Sequence, residues 1–186
     1  MIPIAPLLVP MIAFGQSAAK QSLTATDCAV YEAVFRSLFA EEERTIMVMD
    51  TTKDVRIINP VNGALPMMMK SKPPIPREIA FDFQARNQVQ VSVKSFKPTI
   101  EILFKEAKPI ESLTKNGKEW KEFYRKFPKV AGYVWMSLPG YDSTRTQSIT
   151  YTEFIAGGGG SFGVVQYLKK ESGKWKVVQR LRGWAY

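Results

Sequence analysis

The chain has 186 residues, a length for one domain rather than two. Hydrophobic residues make up 45% and aromatics 12%, enough to fill an ordinary core, which excludes a globally disordered chain. The formal net charge is +9 with a pI near 9.6, which points either to anionic partners or to a charged, soluble surface.

Two absences narrow the chemistry further. No histidine occurs, so the commonest general base and the commonest metal ligand are both missing. The single cysteine, Cys28, can form neither an internal disulfide nor a Cys-rich zinc site. No cofactor, metal or catalytic residue is expected from this composition.

Residues Ile2 to Phe14 are apolar or proline without a charge, and Ala13-Phe14-Gly15 places small residues where a signal peptidase inspects the chain. Met1 to Gly15 therefore reads as a secretory signal, leaving residues 16–186 as one exported domain, periplasmic or extracellular. The apolar run is shorter than the roughly 20 residues a membrane span needs, so no transmembrane span is expected. From Leu23 the pattern turns helical: Thr24 can cap, Asp27 follows three residues later as a variant capping box, and Leu23 can staple against Cys28. Val30, Val34, Leu38 and Tyr31, Phe35, Phe39 give that helix one broad apolar face. Cys28 at its start reads as a small buried apolar residue, since no histidine is there to activate it.

Arg44 to Thr52 reads as a strand with Ile46 and Val48 on one face and Met47 and Met49 on the other, ending in Asp50. Lys53 to Pro76 loses periodicity among breakers such as Asn59-Pro60, Asn62-Gly63 and Pro73-Pro74. The run Met67-Met68-Met69 within it is adaptable surface rather than a copper site, because consecutive residues cannot all face one ion. A short helix is expected from Pro76, with Ile79, Ala80 and Phe83 inward and Asn87 at its end. Gln88 to Ser95 alternates with Val89, Val91 and Val93 on one side, a half-buried strand or arm, and a second run puts Ile100, Ile102 and Phe104 on one face.

Trp120, Phe123, Tyr124 and Phe127 then fall at helical spacing before Pro128, with lysines and arginines around the back. Aromatics mixed with bases resemble a single-strand nucleic-acid surface, but the two sets occupy different faces, so nucleic acid is disfavoured as a partner. From Tyr133 to the end, β-rich runs alternate with turn signals at Pro139-Gly140 with Asp142-Ser143, at Gly157 to Gly160, and at Ser172-Gly173, the pattern of an antiparallel meander. Gly158, Gly160, Gly163 and Val165 fit the glycine-loop spacing of protein kinases, yet no H-R-D or D-F-G occurs; the tract reads as an inter-strand loop. Ser112 to Lys115 fits S-x-x-K without its companion motifs, so it carries no β-lactamase reading. The candidate ligand-binding residues are Asp50 at its strand end, Asp142 and Arg145 in the turn, and Glu153 on the strand TYTEF, expected to face solvent.

The stretches W-K-E-F-Y-R-K-F-P (Trp120 to Pro128), Ser137-Leu138-Pro139-Gly140-Tyr141, Thr146, and G-x-x-x-x-L-K-K-E-S-G-K-W-K-V-V resemble a group of exported bacterial proteins of unknown function. That group shares a Trp-containing helix ending in Tyr/Phe-Pro, an S-x-x-G-[FY] turn and a Gly-rich loop before a closing hairpin. Its glycine loop often carries cysteines, which Gly157 to Gly160 lacks, and the resemblance implies no catalytic residues. The fold expected is α+β: an antiparallel sheet of four or more strands with a C-terminal meander, packed against two or three helices, a set that also suits a cystatin-like or nuclear-transport-factor-like roll. The function expected is a non-catalytic binding or interaction module for a partner such as an anionic envelope polymer or a small molecule. The alternatives are a carboxylate-based hydrolase with a pocket between helix and sheet, built on Asp50, Asp142 and Glu153, and a cytosolic nucleic-acid binder.

Overall fold

The computed structural model describes residues 22–53, 71–72, 74–114 and 120–185. The expected signal, most of the proline-rich loop with its methionine run, and Lys115 lie outside the described residues. Helix α1, Ala25–Phe39, leads into strand β1, Thr45–Met49, and helix α2, Arg77–Arg86, precedes strand β2, Ile102–Lys105. Helices α3, Ala107–Thr114, and α4, Trp120–Lys126, come next. The chain closes with strands β3, Val130–Met136; β4, Gly140–Tyr141; β5, Gln147–Ile155; β6, Phe162–Glu171; and β7, Lys174–Ala185.

All seven strands join one sheet of order β2-β1-β3-β5-β6-β7, with β4 pairing the first part of β5. The expected meander is present: β3, β5, β6 and β7 run antiparallel in succession. The sheet is not antiparallel throughout, because β1 pairs in parallel with both β2 and β3. Parallel neighbours need a crossover, and here the helices supply it. The Gln88–Ser95 run does not form a strand. It contributes one isolated bridge, Thr51 to Ser92, and while Val91 and Val93 are buried, Val89 stays largely exposed.

Strand alternation divides the core. On one face Ile46, Val48, Val134, Met136 and Phe154 pack beneath Val30, Tyr31, Val34, Phe35 and Phe39 of α1. On the other face Ile79 and Ala80 of α2 cover Ile149, Tyr151, Val165 and Tyr167. The rest of that face, Met47, Met49, Tyr133 and Trp135, lies under Ile110 of α3 and Phe123 of α4. The alternating faces read in β1 and the aromatic stripe of α4 are thus both in place. Trp120 stacks on Tyr133 with ring centroids 6.0 Å apart, which makes the stripe core packing rather than an exposed stacking surface.

Turns follow local chemistry. In the β6–β7 hairpin Ser172 and Gly173 have φ of 48° and 79°, the two left-handed positions a tight two-residue turn needs. The glycine tract joins β5 to β6 as expected, but its first residue is anchored: the Gly157 N–H donates to the Tyr124 hydroxyl at 3.1 Å. A Cβ on Gly157 would lie 2.8 Å from the Trp120 ring, so only glycine lets the loop settle on α4. No helix among the described residues is long and apolar enough to cross a membrane.

Candidate functional site

The four residues singled out from sequence occupy three places. Asp50, at the end of β1, is mostly buried and pairs with Lys94 at 3.1 Å. Glu153 does not face solvent. Its position opposite Trp135 puts it on the helix-covered face, between the surfaces under α2 and under α3 and α4, with its side chain only 13% exposed. Lys53 meets it at 2.7 Å and lies over the Trp135 ring at 5.1 Å, so the carboxylate expected to face solvent is ion-paired.

Asp142 and Arg145 do come together, on the β4–β5 turn. Asp142 Oδ1 accepts the backbone N–H groups of Thr146 and Gln147, both at 2.8 Å, and Oδ2 accepts the hydroxyls of Thr144 and Thr146 at 2.6 and 3.0 Å. Burial alone would raise this carboxyl, but hydrogen bonds from Thr144, Gln147 and Thr146 outweigh it and hold the pKa below the ordinary value. A carboxylate with every acceptor direction in use builds the turn and has no proton to donate. Arg145 takes the left-handed conformation at φ 54° and lies 5.6 Å over the Tyr141 ring. With Glu78, Asp82, Arg86, Tyr141, Asp142 and Ser143 it lines a cleft of about 350 Å³ between α2 and the turn.

Beneath that cleft is a clasp of buried charge that sequence reading found only in half. Asp27 forms the expected capping box, accepting from the Thr24 N–H at 2.8 Å while its own N–H donates to Thr24 Oγ1 at 3.1 Å. It is fully buried and also accepts both arms of the Arg86 guanidinium, at 2.9 and 3.0 Å, and the Tyr141 hydroxyl at 2.8 Å. Burial raises its pKa, but the hydrogen bond and charge of Arg86, with those of Thr24 and Tyr141, more than offset it, and the group stays below its ordinary value. Burial and then the Asp27 charge push the Tyr141 phenol up, so that proton stays on Tyr141.

The carboxyl end of α2 completes the clasp by taking the place of a neighbouring strand along residues 138–141. Asn87 accepts from the Leu138 N–H at 2.8 Å and donates to its carbonyl at 2.9 Å, Arg86 donates to the Pro139 carbonyl, and Asp82 accepts the Tyr141 N–H at 2.8 Å. These groups would otherwise be an unpaired sheet edge. Gly140 allows the approach: a Cβ there would meet Phe83 backbone and Cβ atoms at 2.4–2.5 Å.

A second cleft, of about 390 Å³, has the opposite character. Phe104, Pro109, Ile110 and Phe127 supply apolar surface, and Lys94, Lys105, Lys126 and Glu106 supply charge. It gathers at the carboxyl end of β2, where the chain enters α3. Lys105 and Lys126 reach over the Phe127 ring at 5.8 and 5.7 Å, and neither forms an ion pair with a carboxylate among the described residues, although the Lys126 charge is felt by Glu122 one turn earlier. None of these lysines was singled out from sequence; the usable signal was the excess of basic residues around the α4 aromatic stripe. Among the described residues no group of three or more acidic, cysteine or histidine side chains could hold a metal ion. No protein-family model, curated protein or solved structure matches this chain.

Proposed function

We propose that the chain is an exported, non-catalytic binding module for an anionic partner, and that the lysine-lined cleft beside α3 and α4 is its site. One observation carries the reading: Lys105 and Lys126 line a partly apolar cleft beside the Phe127 ring and form no ion pair among the described residues. Charges kept for structure in this protein are paired and buried, as at Asp27 and Arg86. Charges left open beside apolar surface are available to a ligand, and the net charge of +9 would help gather anions toward them. The resemblance of the motifs from Trp120 to Val178 to a group of exported bacterial proteins favours an exported address.

The reading without catalysis draws on the same contrast. Asp50 and Glu153 are ion-paired and Asp142 is saturated by hydrogen bonds, so none of the three is poised as a general acid or base. A carboxylate hydrolase remains the second reading because Glu78 and Asp82 share the cleft above the clasp, between a helix and a sheet as that reading requires. The nucleic-acid reading has less support, since Trp120, Phe123 and Tyr124 are engaged with Tyr133 and one another.

Calorimetric titration of the whole protein with anionic polysaccharide and with small carboxylates tests the proposal. Binding that weakens with salt, and is lost in the Lys94→Gln/Lys105→Gln/Lys126→Gln variant while its unfolding midpoint is kept, is the expected result. Unchanged binding in that variant would move the site elsewhere.

A further inference from the structure

The lysine-lined cleft also carries information about the size and charge of its ligand. Lys94 is neutralised by Asp50 at 3.1 Å, and Glu106 stands among the lining residues against Lys105 and Lys126. With Lys94 held by Asp50, two ammonium groups stay open in the cleft, beside the Glu106 carboxylate that also lines it and with Glu122 near Lys126. A polyanion gains little from such a site, because Glu106 opposes each charge after the first. The volume of about 390 Å³ falls at the small end of the range for small-molecule sites, roughly 300–1,000 Å³.

The apolar surface fixes the other half of the ligand. Phe104 and Lys105 are consecutive in β2 and point to opposite faces, yet both line the cleft, which therefore lies across the outer strand. Pro109 and Ile110 come from the first turns of α3, and Phe127 from the end of α4. Both ammonium groups lie within 5.8 Å of the Phe127 ring centre, so an apolar body packed beside that ring would carry its anionic head toward them. We propose that this cleft binds a small amphiphilic carboxylate: one carboxylate head held by Lys105 and Lys126, on an acyl or aryl body seated against Phe104, Pro109, Ile110 and Phe127. The proposal rests on the reading of the cleft as the anion site.

A homologous series separates the two claims on the wild-type chain. Butanoate, hexanoate and octanoate are titrated calorimetrically beside inorganic phosphate, 1-octanol and octylammonium. The expected result is affinity rising by up to about fourfold per added methylene, the ceiling for full burial. Octanoate should also bind at least tenfold more tightly than either 1-octanol or octylammonium, and Lys105→Gln/Lys126→Gln should erase that preference for the anion. Phosphate, butanoate and octanoate binding alike would overturn the amphiphile and leave the anion reading standing. Octanol or octylammonium binding as well as octanoate, or no binding by any anion, would overturn both.

Discussion

The clasp and the lysine-lined cleft are built from similar residue types and put them to opposite use. In the clasp Arg86 has a carboxylate, a carbonyl and an aromatic ring around it, and Asp27 accepts from a backbone N–H, a hydroxyl, a guanidinium and a phenol. In the cleft Lys105 and Lys126 lie over the Phe127 ring and form no ion pair among the described residues. Buried charge must be fully paired because desolvation is costly, so the clasp is fixed structure. Exposed charge beside apolar surface meets no such demand, so the cleft's ammonium groups can stay without an ion pair. Perturbed ionisation therefore marks fixed structure here: Asp27 is held below its ordinary pKa and Tyr141 above its own, and both are already satisfied.

The largest expected effect breaks the clasp. Arg86→Met leaves the Asp27 carboxylate buried without its counter-ion and should cost about 3–5 kcal/mol in urea unfolding. The Asp27→Asn/Arg86→Met pair should cost less than Arg86→Met alone, because no uncompensated charge remains. Removing Asp142 ranks next. Asp142→Ala strips the acceptors from two backbone N–H groups and two hydroxyls, and about 2 kcal/mol of destabilisation is expected from the same measurement.

Acid sharpens the contrast. The folded-state pKa of Asp27 and of Asp142 lies below the ordinary value, so each contributes stability that is complete above the unfolded carboxylate pKa. That contribution is lost as pH falls through the folded pKa, and urea midpoints should be flat near neutrality and drop below about pH 4. The gap between wild type and Arg86→Met should narrow over the same range, since protonating Asp27 relieves the charge that the variant strands. The smallest effect belongs to the cleft: Lys105→Gln/Lys126→Gln should move stability by no more than about 0.5 kcal/mol while abolishing anion binding.

How much of this could be read in advance follows the range of the interactions. The capping box from Thr24 to Asp27, the two faces of β1, the aromatic stripe of α4 and the Ser172-Gly173 turn are all set by neighbours within a few residues, and all were legible. Arg86 was not, because its partner Asp27 lies 59 residues earlier and a basic residue in the last turn of a helix ordinarily needs no partner beyond the helix dipole. Helix α3 was hidden by Pro109, a breaker in isolation that is tolerated in a first turn. The valines from 89 to 93 alternate as a half-buried strand or arm would, and the arm is what forms: one bridge at Ser92 with Val91 and Val93 buried, while Val89 stays exposed. Glu153 was misread because its polar type suggested solvent, whereas Lys53 and Trp135 had already closed over it. Asp142 and Arg145 share one turn and were legible as a pair, but the lysines of the proposed anion site come from separate elements that the sequence does not join.

The central claim is that ligand goes to the open cleft and not to the cleft above the clasp. Amide chemical-shift mapping of the isotopically labelled protein during titration with octanoate tests it most directly. Saturable perturbations at Lys94, Lys105, Glu106, Ile110 and Phe127, with Asp82, Tyr141 and Arg145 unmoved, are the predicted result. Perturbations gathered instead around Glu78, Asp82, Ser143 and Arg145 would contradict it.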